Sequence, residues 1–355
     1  MLLLNNGQLK QFLHKCQKDK IIGIDTEFHR TNTYYPKLCL IQIANLDNSI
    51  ILDPICVKVD FSILKELIYD KEIKKIFFSA SQDIEIFFNL YNEIPPNFID
   101  VQICLMPLGY ENSTSYSQAC KDFNKIDISK EHQFIDWRVR PLTNEKINYA
   151  INDVKFLIPL YKKVIKDLKK IKRDSWVNLM HEKKYNIKNY KFKAKNAWEK
   201  IRFTPKNSYE LETLKKICKI RENYAIEKDK PVKRFLDNKD LIKLCKVKTN
   251  QEEKKRIIKK IKYENLKSDI LKVIGEPIPS KKLKEIKINL DSNQKRILKY
   301  AKELLEKKSK ELNIHPSLIA NKAELEKIVL GDNNVIINWK YDIFHKEYKL
   351  IKKLI

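Results

Sequence analysis

Glycine is scarce in this chain. Five glycines among 355 residues leave no Gly-rich loop to cradle a triphosphate, which excludes a P-loop nucleoside triphosphatase. Cysteine is present but never as a Cys-x-x-Cys pair. The seven cysteines, at 16, 39, 56, 104, 120, 218 and 245, fit reduced thiols and exclude a zinc ribbon or a disulfide framework. The six histidines (14, 29, 132, 181, 315 and 345) lack metal-ligand spacing, and no cysteine has the histidine–acid context of a nucleophile. No apolar run approaches the ~18–20 residues of a membrane span, so no membrane association is expected. Leu2 to Leu4 is a short greasy stretch that Asn5, Asn6 and Gln8 end, so no signal peptide is expected either. The expectation is a cytoplasmic monomer.

Lysine is what the chain has in excess. Lysine and arginine total 72 against 46 acidic residues, a net charge of +26, and only nine of the 72 are arginine. Biased genome composition accounts for lysine in place of arginine. It does not account for where the surplus lies. Residues 1–160 carry −2 and residues 161–355 carry +28. A surplus confined to one half points to a polyanion-binding surface there. At roughly 150 residues per domain, the length predicts two or three domains. A hydrophobic share of 43% is enough to give each a core.

The first half alternates strand and helix signals. Apolar runs at 21–24, 38–44, 50–52 and 73–78 read as strands, and 9–16, 63–68 and 81–90 as helices. Segments 101–110 and 114–123 read as helical, and a helix runs from Asn144 to about Lys170 with a kink at Pro159. This pattern predicts an α/β domain with a mixed sheet. Beyond Lys170 strand signals fade. Segments 205–245, 251–274 and 294–312 show helical apolar spacing, and Gly275, Pro277 and Pro279 mark a linker. The predicted domains are 1–170, a helical linker over 171–204, and two helical bundles over 205–285 and 286–355.

Carboxylates carry the chemical signal. Asp25 and Glu27 lie two apart at the end of the apolar strand IIGIDTEF, hence on one face. Side by side they repel unless a cation lies between them. Asp83 opens the helix after the strand at 73–78, where a lone carboxylate also suits a helix N-terminus. Tyr149 and Asp153 are four apart on one helix and share a face. Each alone is compatible with an ordinary polar surface. Together, four carboxylates from three separated segments suit divalent metal ions with oxygen ligands. Two such ions activate water and stabilise the leaving oxygen of a phosphodiester.

On these residues the chain resembles the ribonuclease D family of DEDD 3′–5′ exonucleases. The segments DTEFHRTNTYYPKLCLIQIAN (25–45), SASQDIEIF (79–87) and YAINDVKFLIPLY (149–161) resemble its three exonuclease motifs, the third in its tyrosine version. IDVQICLMPLGY (99–110) and IDWRVRPL (135–142) resemble the stretches between them. In the second half, Trp198, Leu214, RENYAIEKDKP (221–231) and LDNKDLIKL (236–244) resemble the HRDC domain. KELNIHPSLIANKAELEKIV (310–329) and Asn338–Lys340 resemble a second, divergent HRDC-like bundle. The resemblance implies a ribonuclease H-like exonuclease domain followed by two all-α HRDC-type bundles. It implies that Asp25, Glu27, Asp83 and Asp153 bind two Mg2+ ions, with Mn2+ as a substitute, and that Tyr149 positions the attacking water. Asp25, Glu27 and Asp153 would cluster at one ion, Asp25 would be shared with the second, and Asp83 would act mainly through water. The family commonly has a histidine five residues before the second-motif aspartate, where this chain has Phe78.

Four further residues are candidates for substrate contacts, each with a structural alternative. Phe28 suits either a wedge against the terminal base or packing on the sheet. Gln42 suits either the terminal ribose or a core hydrogen bond. Arg138 and Arg140 suit either phosphate forks or a pair with Asp136. His29 next to Phe28 suits either a contact to the scissile phosphate or a base, or an ordinary surface histidine, the reading preferred. The reading that follows is a metal-dependent 3′–5′ exoribonuclease acting on structured RNA, with the preference for tRNA precursors coming from the resemblance. Two alternatives stand beside it: a DEDD exonuclease acting on DNA, and a non-catalytic nucleic-acid-binding protein on a decayed nuclease scaffold.

Overall fold

Short apolar runs become strands β1 (Leu2–Leu3), β2 (Ile21–His29), β3 (Lys37–Ala44), β4 (Ser49–Leu52), β5 (Lys74–Phe77) and β6 (Phe98–Asp100). They belong to a computed structural model that describes residues 2–3, 5–128, 135–191, 193–247, 249–276 and 290–355. The strands form one sheet in the order β1-β4-β3-β2-β5-β6. β1 pairs parallel to β4, β2 to β5 and β5 to β6, whereas β3 and β4 are antiparallel, so the sheet is mixed as expected. β1 and β6 have two and three residues, too few for alternation to show in the sequence.

Helices α1 (Asn6–Asp19), α2 (Phe61–Tyr69), α3 (Ser81–Tyr91), α4 (Val101–Leu105), α5 (Tyr116–Ala119), α6 (Asn144–Lys155) and α7 (Leu157–Lys170) accompany the sheet. Capping fixes where several begin. Asn5 accepts from the Gln8 N–H at the start of α1, and Asp60 from the Ser62 N–H at the start of α2. The helix expected to run from Asn144 to Lys170 with a kink at Pro159 is instead two helices that part at Phe156. The break lies three residues before Pro159, not at it. Pro159 thereby falls in the first turn of α7, where its missing N–H costs no helical bond. Two side chains cover carbonyls near the break: Tyr116 Oη donates to Asn152 O at 3.1 Å and Asn124 Nδ2 to Phe156 O at 3.2 Å. Asn124 ends a π-helical turn, Cys120–Asn124, that follows α5.

After α8 (Asp174–Lys184) the chain continues as α9 (Ser208–Glu227), α10 (Asn238–Cys245), α11 (Gln251–Lys259) and α12 (Glu264–Gly275). It ends with α13 (Ser292–Leu312), α14 (Pro316–Ile319), α15 (Lys322–Val329) and α16 (Trp339–Lys352). Gly275 closes α12, while Pro277 and Pro279, the rest of the expected linker, lie outside the described residues. Two compact units emerge. One comprises the described parts of Met1–Glu27, Cys39–Asn186 and Lys287–Ile355; the other comprises Phe28–Leu38 and Ile187–Ile286.

The first unit divides the segment read as a linker. Its α8 is core: Trp176 stacks on Trp339 of α16 with centroids 4.2 Å apart and planes at 9°. Arg173 donates to Pro107 O at 2.7 Å and to Leu312 O at 2.9 Å. The helices of 286–355, read as a separate bundle, therefore cluster with the sheet rather than standing alone. In the second unit α9 is the central helix, burying Leu214, Ile217, Cys218 and Ala225. Arg221 of α9 is also buried and donates to Leu236 O and Asn238 Oδ1, each at 2.9 Å. Tyr34 belongs to this unit; its hydroxyl donates to Glu222 Oε1 at 2.5 Å.

Candidate active site

Strand β2 supplies the first two carboxylates. Ile22 and Ile24 are fully buried on one face, and alternation puts Gly23, Asp25 and Glu27 on the other. Gly23 is what lets a helix lie close on that face. A Cβ there would stand 3.1 Å from Leu157 Cβ and 3.2 Å from Val154 O. The α6–α7 junction therefore presses on β2 two residues before Asp25, and Asp153 comes with it. Carboxylate oxygens of Asp25, Glu27 and Asp153 lie within 4.8 Å of one another. The fourth acid, Asp83, is buried in the first turn of α3. It accepts a 2.6 Å hydrogen bond from the hydroxyl of Thr26, the residue between the two β2 acids.

Electrostatics shows what this arrangement costs the acids. Burial, then Asp83, Asp153 and Glu27, holds the Asp25 carboxyl well above the ordinary range. Burial, then Asp153 and Asp83, pushes Glu27 up to about 9. Burial pushes Asp153 up to about 7. Asp83 rises to about 6, burial outweighing the Thr26 hydroxyl, which favours its charged form. Four desolvated acids, with Asp25 and Glu27 raised further by the carboxylates beside them, are what a divalent cation would relieve, and carboxylate oxygens are its ordinary ligands. The residues fit such an ion.

Tyr149 completes the group from one turn earlier on α6. Burial, then Asp153, Glu27 and Asp25, pushes its phenol up, so the hydroxyl keeps its proton in the field of the acids. Its ring is tilted 35° against Trp137 with centroids 6.0 Å apart. Phe78 packs edge-on against Tyr116 at 5.5 Å, an apolar contact at the position where the resemblance led one to look for histidine. Tyr116 is the residue whose hydroxyl holds Asn152 O, next to Asp153.

The expected substrate contacts fare differently. Phe28 follows Glu27 on β2 and is partly exposed. Gln42 is fully buried, and among the described residues neither amide atom has a hydrogen-bond partner. A side chain without exposure does not reach a ribose, and the core hydrogen bond that was its alternative is not seen among the described residues either. The expectation for Arg140 is corrected. Its guanidinium forms a fork with Asp53 at 2.6 and 2.7 Å and donates to Trp137 O, Val139 O and Cys39 O, with only 14% of the side chain exposed. Those bonds engage every face of the fork and leave none for phosphate. Arg138 pairs with Asp136 at 2.7 Å in solvent. Sequence reading passed over Gly23 and Thr26. Their signal was position: one precedes and the other separates the paired acids on the same strand.

The chain is similar to several known proteins. A family model described as 3′–5′ exonuclease matches residues 3–169. Ribonuclease D of Bartonella henselae is 30% identical over 367 residues, covering 99% of this chain and 90% of that protein. Ribonuclease D of Sphingobium indicum is 27% identical over 361 residues, covering 98% and 92%. The crystal structure of Escherichia coli RNase D, described as an exoribonuclease involved in structured RNA processing, superposes with a TM-score of 0.79. It is 21% identical and covers 99% of this chain and 98% of that one. The sheet and the helices after it thus form a ribonuclease H-like exonuclease fold with a helical C-terminal region.

Proposed function

The chain belongs to the ribonuclease D family, and we propose that as a 3′–5′ exoribonuclease it trims tRNA precursors and other structured RNAs with two divalent metal ions, Mg2+ by preference. The observation that carries this reading is the convergence of Asp25, Glu27 and Asp153 from a strand and a helix far apart in sequence. Asp25, Glu27, Asp83 and Asp153 hold the metal. When bound, the metal supplies an activated water and stabilises the charge on the leaving oxygen. Tyr149 keeps its proton and orients the attacking water through its hydroxyl. Phe28, one residue beyond Glu27, stacks on the terminal base. The bond that breaks joins the last phosphorus to the 3′ oxygen of the preceding nucleotide, and a 5′-mononucleotide leaves.

The remaining helices hold the RNA. We assign residues 1–170 to the exonuclease domain, 171–204 to the connection, 205–285 to an HRDC domain and 286–355 to a second, divergent HRDC-like region. The +28 charge beyond residue 160 supports a phosphate-tracking role for these helices. Among the described residues no helix is long and apolar enough to cross a membrane.

A trimming assay tests the reading. A tRNA with a short 3′ trailer and a single-stranded DNA of matching sequence are incubated with Mg2+. The expected result is mononucleotide release from the RNA alone, abolished by EDTA. Equal trimming of the DNA contradicts the RNA preference, and release that survives EDTA contradicts the metal.

A further inference from the structure

We propose that Asp100 is a positioning residue for Asp83, and that Lys184 and Tyr185 at the end of α8 complete its support. The inference rests on the metal-binding reading of Asp83 given above.

Asp100 is fully buried. Its Oδ1 accepts from the Ser79 N–H at 2.8 Å and from the Gln102 N–H at 3.0 Å. Its Oδ2 accepts from Lys184 Nζ at 3.0 Å and from Tyr185 Oη at 2.5 Å. One carboxylate thus joins three segments: the turn before α3, the start of α4 and the end of α8. A buried charge bonded on both oxygens has little freedom to move, which suits it to fix what it touches.

What it fixes is the entry to α3. Ser79 lies in the left-handed region at φ 61, a conformation that costs a residue with a side chain. The following residue, Ala80, is the N-cap of α3 and makes no side-chain capping bond. Capping does not set the direction of the first turn, so the bond from the Ser79 N–H to Asp100 takes that part. Asp83 lies three residues beyond Ala80, in that first turn. Asp100 also pairs in register with Phe77, the last residue of β5, so hub and turn meet at the strand end from which α3 departs.

Lys184 and Tyr185 lie beyond residue 169, where the exonuclease family match stops. The support of a first-half acid therefore comes partly from a segment outside the matched domain. Tyr185 is itself braced by β6, since its ring packs on Phe98 with centroids 5.0 Å apart.

The test uses the full chain with Asp100→Asn, Tyr185→Phe and Lys184→Met, and with Asp83→Asn as reference. Two quantities are read: calorimetric binding of Mn2+ alone, and the Mn2+ concentration that half-saturates trimming of a 3′-tailed RNA. Asp100→Asn is expected to shift both by roughly 10–100-fold, and each α8 variant by about threefold to tenfold, with KM for RNA unchanged. Should Asp100→Asn fail to fold, the two α8 variants decide, because each removes one of the groups that donate to Asp100 and leaves the carboxylate in place. Variants that lose thermal stability but bind Mn2+ like the wild type overturn the inference. Weakened Mn2+ binding in Asp83→Asn beside unchanged binding in the other three overturns the inference alone. Unchanged binding in Asp83→Asn overturns the metal reading and the inference with it.

Discussion

Residues 1–160 carry a net charge of −2 and residues 161–355 carry +28, and the two regions put their charged groups in different places. In the first, the acids that matter are turned inward. Asp83 and Asp100 are buried, and Asp25, Glu27 and Asp153 face one another at the end of β2. In the second, lysines such as Lys255, Lys259 and Lys262 stand exposed, while the buried Arg221 is held by Leu236 O and Asn238. Charges kept from water and crowded together are strongly felt and suit chemistry at a fixed point. Exposed charges are screened by salt and suit a long polyanion met at many points. The proposed function puts chemistry in one region and grip in the other.

The comparison breaks most sharply at the acids. Asp153→Asn should lower mononucleotide release about a thousandfold, the scale of several kcal/mol of lost transition-state stabilisation. RNA affinity measured in Ca2+ should hold. Tyr149→Phe comes next, with kcat falling roughly a hundredfold and KM nearly constant. A matching loss in affinity would place Tyr149 in binding instead. On the other side, replacing Lys255, Lys259 and Lys262 with Gln should leave kcat intact and flatten the log–log salt dependence of binding. The slope should fall by up to about 0.7 for each lysine that meets a phosphate of a single strand.

Two pairs of the acidic site were legible in the sequence because their spacing is local, whereas Asp83 and the joining of the three segments rested on the set taken together and on the resemblance. Asp25 and Glu27 show strand alternation, and Tyr149 and Asp153 show a helical turn. The sheet was legible where strands are long, as in β2 and β3, and hidden in β1 and β6, which are too short to show a period. The fork between Arg140 and Asp53 was not legible, since 87 residues separate the partners and only the folded chain brings them together. The break at Phe156 was hidden for a different reason. Pro159 marks a disturbance but not its place, and the side chains that donate to Asn152 O and Phe156 O, Tyr116 and Asn124, come from another segment.

Two smaller effects sharpen the account of the first region. Gly23→Ala adds a methyl against Leu157 and Val154 O, and should cost about 1–3 kcal/mol of stability as the α6–α7 junction is pushed off β2. Thermal unfolding measures it, and an unchanged Tm would show the junction free to shift. The pH dependence follows from Glu27 at about 9 and Asp153 at about 7, against ordinary values of 4.5 and 3.8. Across that window the metal-free folded chain holds protons that the unfolded chain has released, so stability falls as pH rises. Tm without metal should therefore drop between pH 5.5 and 8.5, and Mn2+ should raise it more at the higher pH. A larger gain at pH 5.5 would contradict the raised proton affinities.

The division of labour is tested most directly by comparing wild type and Asp25→Asn on one 3′-tailed tRNA, measuring Mg2+-dependent mononucleotide release and RNA affinity side by side. The expected result is release abolished in the variant with affinity within about twofold of wild type, as fits a site that acts on bonds and a separate surface that holds the RNA. Wild-type release from Asp25→Asn would contradict the metal site, and a parallel loss of affinity would contradict the separation of chemistry from grip.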